Sequence, residues 1–284
     1  MLKYLFQVVG SLVFLMIVQC TGGSIDNDES FFFFQMSDTQ FGFFNNNEDF
    51  IQETINFERA ISEANRLKPK FVIVTGDLIN IPGDTIQIAA YKAIADKLDP
   101  NIPLYNLPGN HELENQVTNE LLADYRRQFG KDYYTFFHGK LMGIVLNSSL
   151  ISDPSLVQDE ADKQFEWLQE ILLDAASHNF HIIVFQHHPL FLEEPDEDDQ
   201  YFNIKREVRK RYLTLFKKYQ VSHVFAGHLH RNAYGKDGEL EMVVTGPVGR
   251  PLGDDPSGFR IIKYDSGHVS HQYYSLDSIP STIR

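Results

Sequence analysis

The chain has 284 residues, 43% of them hydrophobic, a formal net charge of −14 and a single cysteine. That size and apolar content suffice for one substantial core, and a lone cysteine excludes an internal disulfide. The acidic balance, with no basic cluster to offset it, speaks against a nucleic-acid partner.

The first residues read as a targeting segment. Met1 and Lys3 precede an apolar stretch from Leu5 to Val18, and Cys20 follows, with Thr21, Gly22 and Gly23 after it. A positive start, a short apolar core and small residues beyond it describe an export signal over 1–20 rather than a folded helix. The position of Cys20 is that of the acylated cysteine of a bacterial lipoprotein. It predicts a membrane-anchored protein of a bacterial envelope, with residues 21–30 as a polar tether. Gln19 stands where such signals have a small residue, so a plain signal peptide, giving a secreted or periplasmic protein, and an uncleaved anchor stay open.

Residues 31–284 read as one domain. Apolar runs at 31–36, 71–74, 182–185 and 224–226 each end in a polar turn, the mark of short buried strands. The run of four phenylalanines at 31–34 belongs to a central strand. Helical patterns cover 48–67, 85–98, 115–129, 160–177 and 204–218. The segment from Glu239 to Tyr274 alternates in short β-like stretches and is expected in a second sheet. Strands alternating with helices place the residues that follow each strand at the carboxyl ends of neighbouring strands, where open α/β sheets keep their sites.

Those residues are Asp38 and Gln40 in SDTQ, Asp77 in VTGDLIN, Asn110 in PGNHE, His187 in QHHPL, and His228 and His230 in AGHLHR. A lone Asp or His after a strand is usually a turn or cap residue. GD, GNHE and GHLH together, in this order, point to metal binding.

In these blocks the sequence resembles the calcineurin-like metallophosphoesterases, over about 31–276. It is similar in particular to the calcineurin-like phosphoesterase domain-containing protein 1 type, which shares Gln40 and the segments at 191–203 (FLEEPDEDDQYFN), 230–233 (HRNA) and 252–260 (LGDDPSGFR). The resemblance implies a four-layer α/β/β/α sandwich and two divalent metal ions, of Mn, Mg, Fe or Zn. One would be held by Asp38, Gln40, Asp77 and His230, the other by Asp77, Asn110, His187 and His228, with Asp77 shared. Gln40 stands where the family usually has His, which gives the first set three oxygens and one nitrogen and favours Mn²⁺, Mg²⁺ or Fe²⁺ over tight Zn²⁺. Two divalent ions against Asp38, Asp77 and a hydroxide nucleophile leave the site near +1, which draws a phosphate despite the acidic chain.

His111 is the expected general acid, with Asn80 orienting its ring and Arg231 or Arg250 reaching the phosphate. The implied activity is hydrolysis of a phosphoric monoester, on phosphoserine and phosphothreonine in protein or on a small phosphomonoester. A phosphodiesterase acting on a cyclic nucleotide or a glycerophosphodiester is the alternative. A metal-bound binding protein without activity is a third reading; Gln40 is its support, and retention of His111 argues against it. The lone-His block selects His187 over His188, which reads as a neighbour of the site or a surface residue. His138, His178, His181, His223, His268 and His271 read as ordinary. The acidic loop at 193–199 either borders the site or is a solvated loop, and the basic run KREVRKR at 205–211 reads as a solvated helix face.

Overall fold

The computed structural model of the protein describes residues 30–283; the segment read as an export signal, with Cys20, and nearly all of the tether lie outside the described residues. Along the chain, β1 (Ser30–Met36), α1 (Ile51–Leu67), β2 (Val72–Thr75), α2 (Thr85–Ala95) and β3 (Leu104–Leu107) alternate. A single turn, α3 (Asn110–Leu113), and then α4 (Asn119–Phe129) lead to the hairpin β4 (Tyr134–His138) and β5 (Leu141–Val145). The elements α5 (Ser149–Ser152), α6 (Gln158–His178), β6 (His181–Phe185), α7 (Arg206–Lys218) and β7 (His223–Ala226) follow. The chain then forms β8 (Ala233–Asp237), β9 (Leu240–Val244), β10 (Gly258–Asp265) and β11 (His268–Ser275).

The strands form two sheets, ordered β11-β10-β1-β2-β3 and β4-β5-β6-β7-β9-β8. In the first, β1, β2 and β3 run parallel, and β10 pairs antiparallel with β1. In the second, β5, β6, β7 and β9 run parallel, with β4 and β8 antiparallel at the edges. The C-terminal run expected in one second sheet is therefore divided: β9 extends the six-stranded sheet, whereas β10 and β11 return to cover β1. In that pairing Phe259 and Ile261 of β10 face the same helices as Phe34 and Met36 of β1.

Alternation along the strands builds three apolar layers. Phe34, Met36, Val72 and Val74 pack on Phe57, Ile61, Ile88 and Tyr91 of α1 and α2. Val184, Val224 and Ala226 pack on Phe165, Leu168, Tyr212 and Phe216 of α6 and α7. Phe33, Ile73, Phe185 and Phe225 fill the space between the sheets. The result is the expected four-layer α/β/β/α sandwich. The phenylalanine run is indeed central, since β1 lies in the middle of its sheet. Phe33 stacks on Phe71 at 4.4 Å and meets Phe185 and Phe225 edge-on across the interface at 6.0 and 6.4 Å.

Helix limits follow the caps more than the periodicity. Thr118 accepts from Leu121 N and starts α4 at 119, not at the expected 115. Asp84 caps α2 by accepting from Ile86 N and Gln87 N, which fixes Gln87 in the first turn.

Candidate active site

The seven candidate ligands gather at one end of the sandwich, but from two sheets rather than from neighbouring strands of one. Asp38, Gln40, Asp77 and Asn110 follow β1, β2 and β3, and His187, His228 and His230 follow β6 and β7. All seven are buried. Ligand-type atoms of Asp38, Asp77 and His230 lie within 4.8 Å of one another, and those of Asp77, His187 and His228 do likewise, so that Asp77 is common to both groups.

The backbone bends sharply to achieve this. Asp38, Gln40, Asp77, His228 and His230 adopt left-handed conformations, with φ of 49°, 38°, 50°, 69° and 56°. Non-glycine residues seldom occupy that region, and clusters of them mark functional sites whose surroundings hold them in place. Gly227, before His228, has to be glycine, because a Cβ there would lie 1.8 Å from Ser37 Oγ and 2.7 Å from Asp38 Oδ2.

Main-chain carbonyls hold each histidine ring. His187 Nδ1 donates to Thr75 O at 2.8 Å, His230 Nδ1 to Arg250 O at 2.6 Å, and His228 Nε2 to Tyr201 O at 3.3 Å. Each contact fixes a tautomer and leaves the other ring nitrogen with a free lone pair, the usual support of a ligating imidazole. His187 Nε2 then faces Asn110 Oδ1 and Asp77 Oδ2, both at 3.1 Å. Three acceptor atoms so close call for a cation. Burial alone would lower His187, but Asp77 outweighs it and the ring is pushed up to about 9. Burial would likewise raise Asp77, yet His187, His111 and His228 hold it well below the usual carboxylate range. Asp38 is raised, by burial first, and burial also takes His228 down to about 3.

Gln40 fits a metal site in a different way. Its Nε2 donates to Asn80 Oδ1 at 3.0 Å, while its buried Oε1 has no partner among the described residues. An unsatisfied buried carbonyl oxygen costs about 1–3 kcal/mol, which a bound cation would recover.

His111 Nδ1 donates to Asn80 O at 2.9 Å, and His111 N donates to Asp77 Oδ1 at 2.9 Å. The contact to this ring comes from the main-chain carbonyl of Asn80, not from its side chain, which is occupied by Gln40 and Asn47. Arg231 is exposed and lies along Gly253. Arg250 is better enclosed, with its guanidinium 5.3 Å from the Phe43 ring and Nη1 donating to Phe43 O at 3.3 Å. The Phe43 ring in turn lies 5.2 Å from His230 and 6.3 Å from His111.

One support, Glu112, was not singled out in the sequence. Glu112, the last residue of PGNHE, accepts from Asp77 N, Leu78 N, Ile79 N and Gly109 N at 2.7–3.1 Å, which ties the loop after β2 to the loop after β3. The acidic loop is a built structure that borders the site. Glu197 accepts from Leu192 N, Glu193 N, Glu194 N and Asn203 Nδ2, and the buried Arg209 donates to Leu190 O, Ile204 O and Glu197 O. This loop delivers the Tyr201 carbonyl to His228. His188 is buried beside His228, with rings 4.5 Å apart, and burial takes it well below the usual range. The segments at 230–233 and 252–260 meet, as Asn232 donates to Asp255 and accepts from Arg260.

Two of the ordinary histidines also meet. His223 and His271 both turn Nε2 toward Glu241 Oε2, at 3.5 and 3.6 Å. Arg260 donates to His271 Nδ1, so that ring carries its proton on Nε2, and Lys236 pairs with Glu241 at 2.9 Å. The cluster is a polar staple between the sheets rather than a ligand set.

A family model described as calcineurin-like phosphoesterase matches residues 33–232. The chain is 39% identical over 266 residues to the serine/threonine-protein phosphatase CPPED1 of Homo sapiens, covering 88% of this chain and 85% of that protein. It is 36% identical over 265 residues to the protein of the same name from Danio rerio, covering 88% and 86%. Among solved structures, a dimetal phosphatase from Danio rerio superimposes with a TM-score of 0.64 at 15% identity, covering 87% of this chain and 96% of that one.

Proposed function

The chain belongs to the calcineurin-like phosphoesterases, metal-dependent hydrolases of phosphoric esters, and from that premise we propose that it is a phosphomonoesterase with a two-metal centre. Asp38, Gln40, Asp77 and His230 would hold one ion and Asp77, Asn110, His187 and His228 the other. The observation that carries this reading is the pair of buried ligand groups sharing Asp77. When bound, such a pair supplies positive charge at the phosphoryl oxygens and lowers the pKa of water.

The chain's own residues do the rest. His111 holds one proton on Nδ1 against Asn80 O, so Nε2 is the atom at which a proton is held and given to the departing oxygen. Its own N–H on Asp77 Oδ1 keeps that ring beside the shared carboxylate. Arg250, steadied on Phe43, is the stronger candidate of the two arginines for the non-bridging phosphate oxygens. The oxygen-rich first set favours Mn²⁺, Mg²⁺ or Fe²⁺ there. The names of the curated relatives support phosphoserine and phosphothreonine in protein as the substrates to try first.

The test compares 4-nitrophenyl phosphate, bis(4-nitrophenyl) phosphate and a phosphoserine peptide with Mn²⁺, Mg²⁺, Fe²⁺ or Zn²⁺ added, for the protein and for Asp77→Asn. Metal-dependent monoester turnover that the substitution abolishes is the expected result. Preference for the diester would replace the reading with a phosphodiesterase, and no turnover with any metal would replace it with a binding role.

The N-terminal reading is likewise a proposal, that Cys20 carries a lipid anchor, supported by the apolar stretch before it. Loss of fatty-acid labelling in Cys20→Ser is expected; equal labelling would overturn it.

A further inference from the structure

The two ends of a primary amide have nearly the same shape, so partners decide which end points where. Four amide side chains, from Gln87, Asn47, Asn80 and Gln40, form a line that ends at the candidate metal centre, and main-chain groups whose polarity cannot reverse fix its direction. Gln87 Oε1 accepts from Asn80 N and Ile81 N, both at 2.9 Å. Gln87 must therefore turn Nε2 to Asn47, whose Oδ1 accepts it at 2.9 Å. The same Asn47 oxygen takes Asn80 Nδ2 at 2.8 Å, which leaves Asn80 Oδ1 to accept Gln40 Nε2 at 3.0 Å. The end left over is Gln40 Oε1, buried and without a partner among the described residues. Gln40 N donates to Asp77 O at 2.8 Å, so this residue sits against the shared carboxylate's main chain.

We propose that Gln87 and Asn47 are positioning residues that set the polarity of this relay and so present Gln40 Oε1, rather than Nε2, to the metal. The inference rests on reading Gln40 as a metal ligand. The relay is needed because the partner of Gln40 is the side chain of Asn80, itself an amide that can present either end, so its direction has to be set further along the line. The local fold is built for the relay. Asp84 caps α2 through Gln87 N, at 3.0 Å. Gly42, at φ 109°, leaves space that a Cβ would fill at 2.5 Å from Asn47 Oδ1 and 2.7 Å from Gln87 Nε2.

Two substitutions of equal charge separate this from simple electrostatics. In Gln87→Glu at pH 8 the carboxylate only accepts, so Asn47 must present Nδ2 to it, Asn80 and Gln40 reverse in turn, and Nε2 faces the metal. Asn47→Asp adds the same charge but still accepts from both neighbours, so the direction survives. In a calorimetric titration of the metal-free protein with Mn²⁺, Gln87→Glu should weaken one site by roughly 10–100-fold and leave the other unchanged, whereas Asn47→Asp should bind as tightly as the unaltered protein or more so. Gln40→His should remove the effect of Gln87→Glu. Should Gln87→Glu not fold, Asn47→Gly, at an exposed position, removes the acceptor and should also weaken that one site. Equal binding by Gln87→Glu and Asn47→Asp, an unchanged site in Asn47→Gly, or the same loss in the Gln40→His background would overturn the relay while the phosphoesterase reading stands. Failure of the unaltered protein to bind Mn²⁺, Mg²⁺, Fe²⁺ or Zn²⁺ would overturn both.

Discussion

Removing the ring of His111 tests whether the site works as an acid as well as a metal clamp. The ring is held at Nδ1 by Asn80 O at 2.9 Å, and the residue's main-chain N–H donates to Asp77 Oδ1 at 2.9 Å, which keeps His111 beside the candidate ligands. A proton donor so placed is worth roughly 10²–10⁴ in rate, or about 3–5 kcal/mol of barrier. That help matters only where the departing oxygen needs a proton. His111→Ala should therefore slow turnover of a phosphoserine peptide by roughly 10²–10⁴, and turnover of 4-nitrophenyl phosphate, whose leaving group departs as a stable anion, much less. The main-chain N–H on Asp77 survives in Ala, so metal content should not change. Steady-state kcat for both substrates and metal analysis of the purified variant check this. An equal loss on the two substrates, or loss of metal along with activity, would refute the assignment and make His111 a structural residue.

Three further outcomes follow from the packing. Phe33→Ala, at the join of the two sheets, should cost about 3–5 kcal/mol in urea unfolding, whereas Phe137→Ala, half exposed, should cost less than about 1 kcal/mol; similar losses would contradict the placement of the inter-sheet core. His138, stacked on Phe71, is lowered to about 4 by burial. A depressed base is stable neutral, so its contribution is full above the unfolded value near 6.5 and is lost as pH falls through 4. His138→Phe should accordingly flatten the fall of the unfolding midpoint between pH 6.5 and 4, and an unchanged slope would sink the idea. Arg209→Met removes the donors that hold Leu190 O, Ile204 O and Glu197 O, so limited proteolysis should cut within 190–204 sooner than in the unaltered protein.

The candidate ligand set was legible in the sequence where it sits in side-chain identity. Asp38, Asp77, Asn110, His187, His228 and His230 follow strands in motifs whose residue types match their task, and the structure gathers all six with Gln40. The supports were less legible because they are main-chain atoms. Nothing in the letters Thr75, Tyr201 or Arg250 says that their carbonyls hold His187, His228 and His230. Asn80 was singled out for its side chain and acts on His111 through its backbone. Glu112 was within reach of sequence reasoning, as the acidic end of PGNHE, since a buried carboxylate beside a glycine turn has to find N–H donors. The split of the C-terminal strands was not, because alternation gives a strand's faces but not its sheet.

A site assembled from two sheets has an energetic consequence. Asp38, Gln40, Asp77 and Asn110 arrive on one sheet and His187, His228 and His230 on the other, so a complete ligand set exists only while the sheets are docked through Phe33, Phe185 and Phe225. In an unfolded chain those ligands are scattered over nearly two hundred residues and bind a cation weakly. Metal affinity is then folding free energy, about 2.7 kcal/mol for each site at a hundredfold excess over Kd. The five left-handed ligand residues draw on the same source, at roughly 1–3 kcal/mol each, of the same order as the metal's contribution. Strain at the strand ends and cation binding between the sheets therefore offset one another. A fold that carried this loop geometry without the metals would give up stability for nothing, which favours a site that works loaded over a vestigial one.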